Sequence, residues 1–381
     1  MGHLENSDDR RFMDEALRLA GRIPRRPWPN PPVGALVVRE GRVVGRGAHL
    51  GAGGAHAEAV ALGEAGALAR GATLYCTLEP CNHQGRTPPC APMVVASGVA
   101  RVVVAIRDPN PGVAGGGLAR LRESGVEVTL GVRAEQALDL VWPFACTRGF
   151  ARPFVLLKTA ASLDGRFAPR ITERKAGEPH YLTSPAARHE VHVLRRWSDL
   201  VVVGERTMAI DAPRLDSRLV DELEACPAPD PIPAYADSDL GLQKGWPRPF
   251  WVFAAGGRAT GEARRAIERM GGTVVACAER GGHVAPESLV EEFGRRDGRC
   301  LMVEGGPRLA AAFVDAGLVD RWVHYVAPSL LGAGPTWPDR ESRVAWSLTR
   351  AGTIGPDARL VFDRQRFDAT LEALTAPDGG R

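Results

Sequence analysis

Four residues between Gly54 and Cys90 have the types and spacing for metal chemistry: His56, Glu58, Cys81 and Cys90. A neutral imidazole and two thiolates cancel the charge of a zinc dication. Three protein ligands leave the fourth tetrahedral position open, which is the arrangement of a catalytic rather than a structural zinc. Zinc in such a site acidifies bound water towards neutral pH. Glu58 is not needed as a ligand and suits the general acid/base. Pro80 restricts the backbone before Cys81, and a helix starting near Cys81 would favour its thiolate through free amides.

The order H-x-E, then P-C, then a second Cys resembles the signature of zinc nucleobase deaminases. That signature has two residues between the cysteines, whereas Asn82 to Pro89 (NHQGRTPP) intervene here. A structural zinc site or unrelated buried cysteines would not require Glu58.

These residues must be positioned by alternating strands and helices. Asp9 is expected to cap a helix through Ala20, and Val33 to Val38 reads as a buried strand. Glu40-Gly41 turns the chain into Val43 to Gly45. His56 to Leu68 reads as a helix with His56 and Glu58 in its first turn, and Ala72 to Cys76 as a strand ending just before Cys81. Pro92 to Ser97 is expected as a short helix, Val102 to Ile106 as a strand, Leu118 to Ser124 as a helix and Val126 to Leu130 as a strand. A helix over Ala134 to Phe144 precedes a boundary near Gly149, giving domains 1–149 and 150–381. The pattern is α/β, with ligands expected at the strand ends.

The second domain repeats the alternation. Strands are expected at Phe154 to Lys158, Leu200 to Gly204, Phe250 to Ala254, Thr273 to Ala276, Cys300 to Glu304 and, last, Arg321 to Val326. Helices are expected from Ser184-Pro185 onward, and at Gly261 to Met270, Val284 to Arg295 and Leu309 to Ala316. Cys226 to Pro249, rich in Pro, Asp and Gly, reads as irregular. Glu304-Gly305-Gly306 joins a strand to a helix and leaves room for a phosphate on backbone amides. It is not the dinucleotide fingerprint.

Composition bounds the function. The charged fraction of 24% and apolar fraction of 44% are those of an ordinary globular chain. A net charge of +3 and an aromatic content of 6% argue against a deaminase of nucleic-acid bases, which needs a basic groove and stacking platforms. No apolar run approaches the roughly 18 residues of a membrane span. The seven cysteines and the polar stretch Met1 to Arg10 lead to the expectation of a reducing, cytoplasmic setting.

Several stretches sharpen the first half. PNPPVG (Pro29 to Gly34), GAHLGAGGAHAE (Gly47 to Glu58), TLEPCNHQGRTPPC (Thr77 to Cys90) and DPNPGVAGGG (Asp108 to Gly117) resemble the cytidine-deaminase-like domain of the bifunctional riboflavin biosynthesis deaminase/reductase family. That family carries the long insertion between the zinc cysteines. KTAASLDG (Lys158 to Gly165), LTSPAARHEVHVLR (Leu182 to Arg195), VGERTMAIDAPRL (Val203 to Leu215), VEGGPRLAAAF (Val303 to Phe313) and LVDRWVHYVAPSLLG (Leu318 to Gly332) resemble its reductase domain, of dihydrofolate-reductase-like fold.

The resemblance implies roles. His56, Cys81 and Cys90 would bind Zn2+, with Glu58 catalytic. Asn30, His49, His83, Arg86 and Thr87 would face a pyrimidine ribose phosphate. Lys158, Arg195, Leu215, Arg218 and Glu304 would face the substrate of the second step, the two arginines taking its phosphate. Ala161, Tyr181, Thr207, Asp211, Ser238, Gly305, Gly306, Pro307 and Arg308 would contact NADPH. Tyr181 offers a ring to the nicotinamide where Pro179 and the insertion Ile171 to Glu178 replace a shorter segment of the family. A homo-oligomer working on small molecules, with neither nucleic acid nor membrane as partner, is implied. The alternatives are a non-catalytic zinc and nucleotide-binding module, and a deaminase whose reductase half is impaired or retargeted.

Overall fold

The computed structural model describes residues 6–22, 30–110, 113, 116–149, 152–173, 180–220, 230–339, 344–364 and 366–376. The expectations placed on Pro29, residues 174–179 including Pro179, and Cys226 lie outside them. Contacts divide the chain into two compact units. One runs to Ala151 and includes the C-terminal stretch from Arg366; the other takes Arg152–Asp221 and Pro229–Gln365.

In the first unit, α1 (Ser7–Gly21) is capped by Asn6, whose side chain accepts from the Asp8 amide at 3.1 Å. Asp9, expected as the cap, is instead buried against Arg101, at 2.9 and 2.8 Å, and the Tyr75 hydroxyl, at 2.8 Å. A paired buried carboxylate outweighs a cap that a neighbouring Asn supplies equally well. β1 (Gly34–Arg39) and β2 (Arg42–Ala48) form a hairpin whose turn residues Glu40 and Gly41 have φ of 50° and 72°. Two positive φ values give the turn a twist that matches the strands. Then follow α2 (Ala57–Ala65), β3 (Thr73–Cys76), α3 (Cys90–Ser97), β4 (Arg101–Val104), α4 (Gly116–Glu123), β5 (Glu127–Leu130) and α5 (Ala134–Gly149). The sheet order is β2-β1-β3-β4-β5, antiparallel around β1 and parallel from β3 to β5. Helix α5 continues past Pro143 because Trp142, Phe144, Ala145 and Cys146 are all buried.

Helix α2 follows directly on its cap, the candidate ligand His56, and lies on β2 at backbone contact. A Cβ added at Gly47 would sit 1.9 Å from the Ala57 carbonyl oxygen and 2.7 Å from the Ala61 amide nitrogen. Gly47→Ala is therefore expected to cost about 1–3 kcal/mol by overpacking and to push α2, with His56 and Glu58, off the sheet. Urea unfolding together with zinc content checks this, and unchanged values of both would refute it.

The second unit comprises β6 (Phe154–Ser162), α6 (Pro185–Arg196), β7 (Leu200–Gly204), α7 (Glu205–Asp211), β8 (Ile232–Ala236), β9 (Phe250–Ala255), α8 (Gly261–Arg269) and β10 (Gly272–Cys277). A small hairpin, β11 (Glu279–Arg280) and β12 (His283–Val284), precedes α9 (Pro286–Gly294). The unit continues with β13 (Cys300–Val303), α10 (Pro307–Asp315), β14 (Arg321–Ala327), β15 (Ser347–Ile354) and β16 (Asp357–Asp363). Nine strands run in the order β10-β9-β8-β7-β13-β6-β14-β16-β15, parallel except for the final antiparallel pairs at β16.

Three strands correct the sequence reading. β8 lies within the stretch expected to be irregular. Its Pro233 costs no hydrogen bond: the Ile232 amide donates to Asp199 on the β7 side at 2.9 Å, and pairing with β9 starts only at Ala234. Ala234 and Tyr235 are fully buried, which holds the strand in the sheet. The β15–β16 hairpin follows β14, which had been expected to end the sheet. The C-terminal helix, α11 (Arg366–Thr375), packs in the first unit, where Phe367 meets Trp142 at 5.1 Å and the Arg107 amide donates to Leu374 at 3.2 Å. Among the described residues no helix is long and apolar enough to cross a membrane.

Candidate functional sites

In the first unit, the turn into α2 and the loop after β3 bring the metal-ligand candidates together. His56 is the extended residue before α2, Cys81 lies beyond β3, and Cys90 begins α3. His56 Nδ1 is 3.2 Å from Cys90 Sγ and 3.5 Å from Cys81 Sγ, and the three ligand atoms all lie within 4.8 Å of one another. Zinc with Zn–S of about 2.3 Å and Zn–N of about 2.0–2.1 Å in a tetrahedron needs neighbours about 3.5–3.8 Å apart. The cluster therefore fits the ion with little adjustment.

No helix starts at Cys81; the helix expected over Pro92 to Ser97 begins at Cys90. Its amides still reach the other sulfur, since the Cys90 N–H donates to Cys81 Sγ at 3.4 Å. Hydrogen bonding from the Cys90 thiol, then from His56, holds Cys81 down to about 4. The same pairing pushes Cys90 upward. Glu58 lies in the first turn of α2, only 4% exposed and outside the ligand cluster. Burial raises it to about 7, against the pull of His56.

A cavity of about 240 Å³ opens beside the cluster, lined by Asn30, His49, His83, Arg86 and Thr87 as well as His56, Glu58 and Cys81. His49 Nδ1 donates to the Ala55 carbonyl at 3.0 Å, so Nε2 is free to accept from Asn30 Nδ2 at 2.9 Å. Burial lowers the His49 pKa and keeps the ring neutral. Thr87 Oγ1 sits 3.1 Å from His56 Nε2.

The sequence reading assigned no role to Asp108, Asn110, Phe144 and Arg148, which line the same cavity. Burial raises Asp108 to about 6, and its loop is held by Glu79, which accepts from the amides of Asp108, Gly117 and Leu118 at 3.2, 2.9 and 3.1 Å. The DPNP motif was the available signal for Asp108. Phe144 and Arg148 carry none, because α5 reaches the cavity only through the tertiary fold.

The second unit has a cleft of about 1310 Å³ at the carboxyl ends of β6, β7 and β13. It gathers Lys158, Tyr181, Arg195, Thr207, Asp211, Leu215, Arg218 and Glu304 to Arg308. Glu304 takes the Arg195 fork at 2.7 and 2.9 Å and lies 3.5 Å from Lys158 Nζ. Burial alone would raise Glu304, but the charges of Arg195 and Lys158 hold it down to about 2. Burial likewise lowers Lys158. Arg218 pairs with Asp216, which also takes Arg214 at 2.8 Å. The Arg195 fork is thus directed at a carboxylate of the protein.

Around the cofactor candidates, Gly306 precedes α10, with Pro307 at its first position, and a Cβ there would lie 3.7 Å from Thr207 Oγ1. Tyr181 is 54% exposed, and one ring face is covered by the Arg188 guanidinium 4.6 Å from its centroid. Two candidates fall elsewhere. Ala161 is buried in β6, and Ser238 Oγ accepts from the Val284 amide at 3.0 Å; neither lines the cleft.

Comparisons with known proteins follow the same division. Residues 6–106 match the cytidine and deoxycytidylate deaminase zinc-binding region, and residues 153–360 match the RibD C-terminal domain. The chain is 38% identical over 335 residues to riboflavin biosynthesis protein RibD of Escherichia coli (strain K12), covering 85% of this chain and 89% of that one. It is 37% identical over 369 residues to the RibD of Aquifex aeolicus (strain VF5), covering 93% and 98%. Among solved structures it is similar to Acinetobacter baumannii RibD, form 1, with TM-score 0.75, 32% identity and coverage of 93% and 98%. A Thermotoga maritima diaminohydroxyphosphoribosylaminopyrimidine deaminase/5-amino-6-(5-phosphoribosylamino)uracil reductase is also similar, with TM-score 0.77, 30% identity and coverage of 94% and 99%.

Proposed function

The chain belongs to the RibD family of riboflavin biosynthesis proteins, and from that premise we propose how its own residues divide two reactions. It is a zinc-dependent deaminase and an NADPH-dependent reductase. The first reaction is hydrolytic removal of the 2-amino group of 2,5-diamino-6-(ribosylamino)-4(3H)-pyrimidinone 5′-phosphate. The second reduces the ribosyl group of the resulting 5-amino-6-(ribosylamino)uracil 5′-phosphate to ribityl. The convergence of His56, Cys81 and Cys90 beside the buried, unligated Glu58 carries this reading.

His56, Cys81 and Cys90 would hold the zinc, which would supply a Lewis acid able to acidify water at neutral pH. Glu58 would take one proton from the attacking water and pass it to the ring nitrogen, then carry the second from the new C2 hydroxyl to the amine, so that the C2–N bond breaks, C2 keeps the oxygen and ammonia leaves. Burial, which disfavours the ionised carboxylate, suits Glu58 to both directions of transfer. Asn30, with its amide nitrogen held by His49, presents its carbonyl oxygen to a ring N–H. His83 and Arg86 face the ribose phosphate, for which a guanidinium fork is the matching donor.

In the second unit NADPH supplies the hydride. Thr207, Asp211 and the Gly305–Arg308 turn, which line the cleft, would hold the cofactor where the open backbone permits close approach. Glu304, kept ionised by Arg195 and Lys158, accepts from sugar hydroxyls. Arg218, with Leu215 beside it, takes the phosphate end, and Tyr181 offers the nicotinamide the face that Arg188 leaves open. Ala161 and Ser238 stay outside the proposed contact set.

The deaminase residues lie within 1–149, and the reductase residues within 150–381. We further propose a cytoplasmic homo-oligomer; buried cysteines such as Cys76 and Cys277 suit a reducing compartment. Light scattering of the purified chain tests the assembly. The function is tested by incubating the full-length protein with the diaminopyrimidinone ribose phosphate. Ammonia should appear without NADPH, and added NADPH should then be oxidised. Absence of ammonia release would overturn the deaminase reading, and absence of NADPH oxidation the reductase reading.

A further inference from the structure

The loop Asn82–Pro89 separates the two cysteines and lines the deaminase cavity through His83, Arg86 and Thr87. Thr87 also turns towards the metal cluster. Its Oγ1 lies 3.1 Å from His56 Nε2, while Nδ1 of the same ring faces the sulfurs at 3.2 and 3.5 Å. An imidazole that gives its Nδ1 lone pair to a metal carries its hydrogen on Nε2. Nε2–H is then the donor and the threonine oxygen the acceptor.

We propose that Thr87 is a positioning residue for the zinc site, its hydroxyl fixing the tautomer and ring angle of His56; this rests on the zinc reading above. The chain between Thr87 and Cys90 is Pro88-Pro89, two residues with locked φ. The spacing between the ring's support and a metal-ligating sulfur is therefore nearly rigid. The loop is anchored at both ends of this span, by the Gly85 amide donating to the Thr87 carbonyl at 3.3 Å and by the Cys90 amide donating to Cys81 Sγ at 3.4 Å. Because the Thr87 oxygen accepts from the ring, its own O–H is left to donate, and Thr87 also lines the substrate cavity. One hydroxyl thereby touches both the support of the metal and the space the substrate fills. The long insertion thus carries support for the metal as well as contacts for the phosphate end.

The test compares full-length wild type, Thr87→Val and Thr87→Ser. Valine keeps the shape and removes the acceptor, whereas serine keeps the hydroxyl. Zinc affinity is read by competition with a chromogenic chelator, without substrate. Valine should weaken zinc about 10–100-fold, the usual cost of losing an outer partner of a metal-ligating histidine. Serine should stay within about threefold of wild type by the same argument. Urea unfolding of each preparation, followed by near-UV circular dichroism, reports that the unit carrying Thr87 is folded, and reductase turnover reports the same of the other unit. A valine variant with wild-type zinc affinity would overturn the proposal. So would equal weakening by valine and serine, which would mean that packing rather than the hydrogen bond matters. Failure of wild type to bind zinc would instead sink the reading on which the proposal rests.

Discussion

Glu58→Gln is expected to lower the deaminase kcat by about 10²–10⁴, the usual contribution of a positioned general acid/base, with zinc content unchanged. Glutamine keeps the shape of a side chain that is only 4% exposed, and Glu58 is not among the three clustered ligands. What is lost is the proton carrier between water, ring nitrogen and amine. Zinc content by elemental analysis and ammonia release measure the two halves of this statement. Reduction of the already deaminated substrate should continue at the wild-type rate, because the reductase residues belong to the other unit. Loss of zinc would make Glu58 a structural residue, and a wild-type rate would remove it from the chemistry.

The second large effect is expected at Arg195. Arg195→Met leaves Glu304 with Lys158 at 3.5 Å as its remaining charged partner and removes the fork at 2.7 and 2.9 Å. Breaking one side of a buried pair costs up to about 3–5 kcal/mol, and Lys158 at 3.5 Å offsets part of that by partly compensating the charge left on Glu304. Arg195 Nη1 also donates to the Asp216 carbonyl at 3.1 Å, so the loop carrying Arg214 and Arg218 loses a tether. Reductase kcat/KM should fall about 10²-fold or more, the scale of a lost preorganised electrostatic contact. Denaturant unfolding and NADPH oxidation check both effects. Should the methionine variant fail to fold, Arg195→Lys keeps the charge without the planar fork and should show a smaller loss of stability with a clear loss of turnover. Stability and turnover both at wild-type level in either variant would contradict the assignment.

The zinc cluster was legible in sequence because its chemistry is concentrated: His56, Cys81 and Cys90 have few other reasons to share such a stretch with Glu58. The continuous apolar runs that form β4, β7, β9 and β13 were legible for a similar reason, since strands covered on both faces need little else. What escaped depends on partners distant in the chain. Asp9 looked like a cap until Arg101 and Tyr75 claimed it. β8 was obscured by Pro233, whose missing amide matters only if β9 pairs there. The β15–β16 hairpin is half-exposed, and β15 shows no regular alternation. Arg195 was expected at a phosphate because arginine suits one, but its fork meets Glu304. The role of Thr87 depends on which nitrogen of His56 faces the sulfurs, and no spacing rule contains that.

The most direct test is the metal itself. Zinc K-edge absorption of the purified full-length protein should show one zinc per chain with two sulfur neighbours at about 2.3 Å and nitrogen or oxygen neighbours at about 2.0–2.1 Å. One of the light neighbours should exchange for an added anion, as an open position requires. A zinc closed by four protein ligands, or a chain that holds none, would contradict the account.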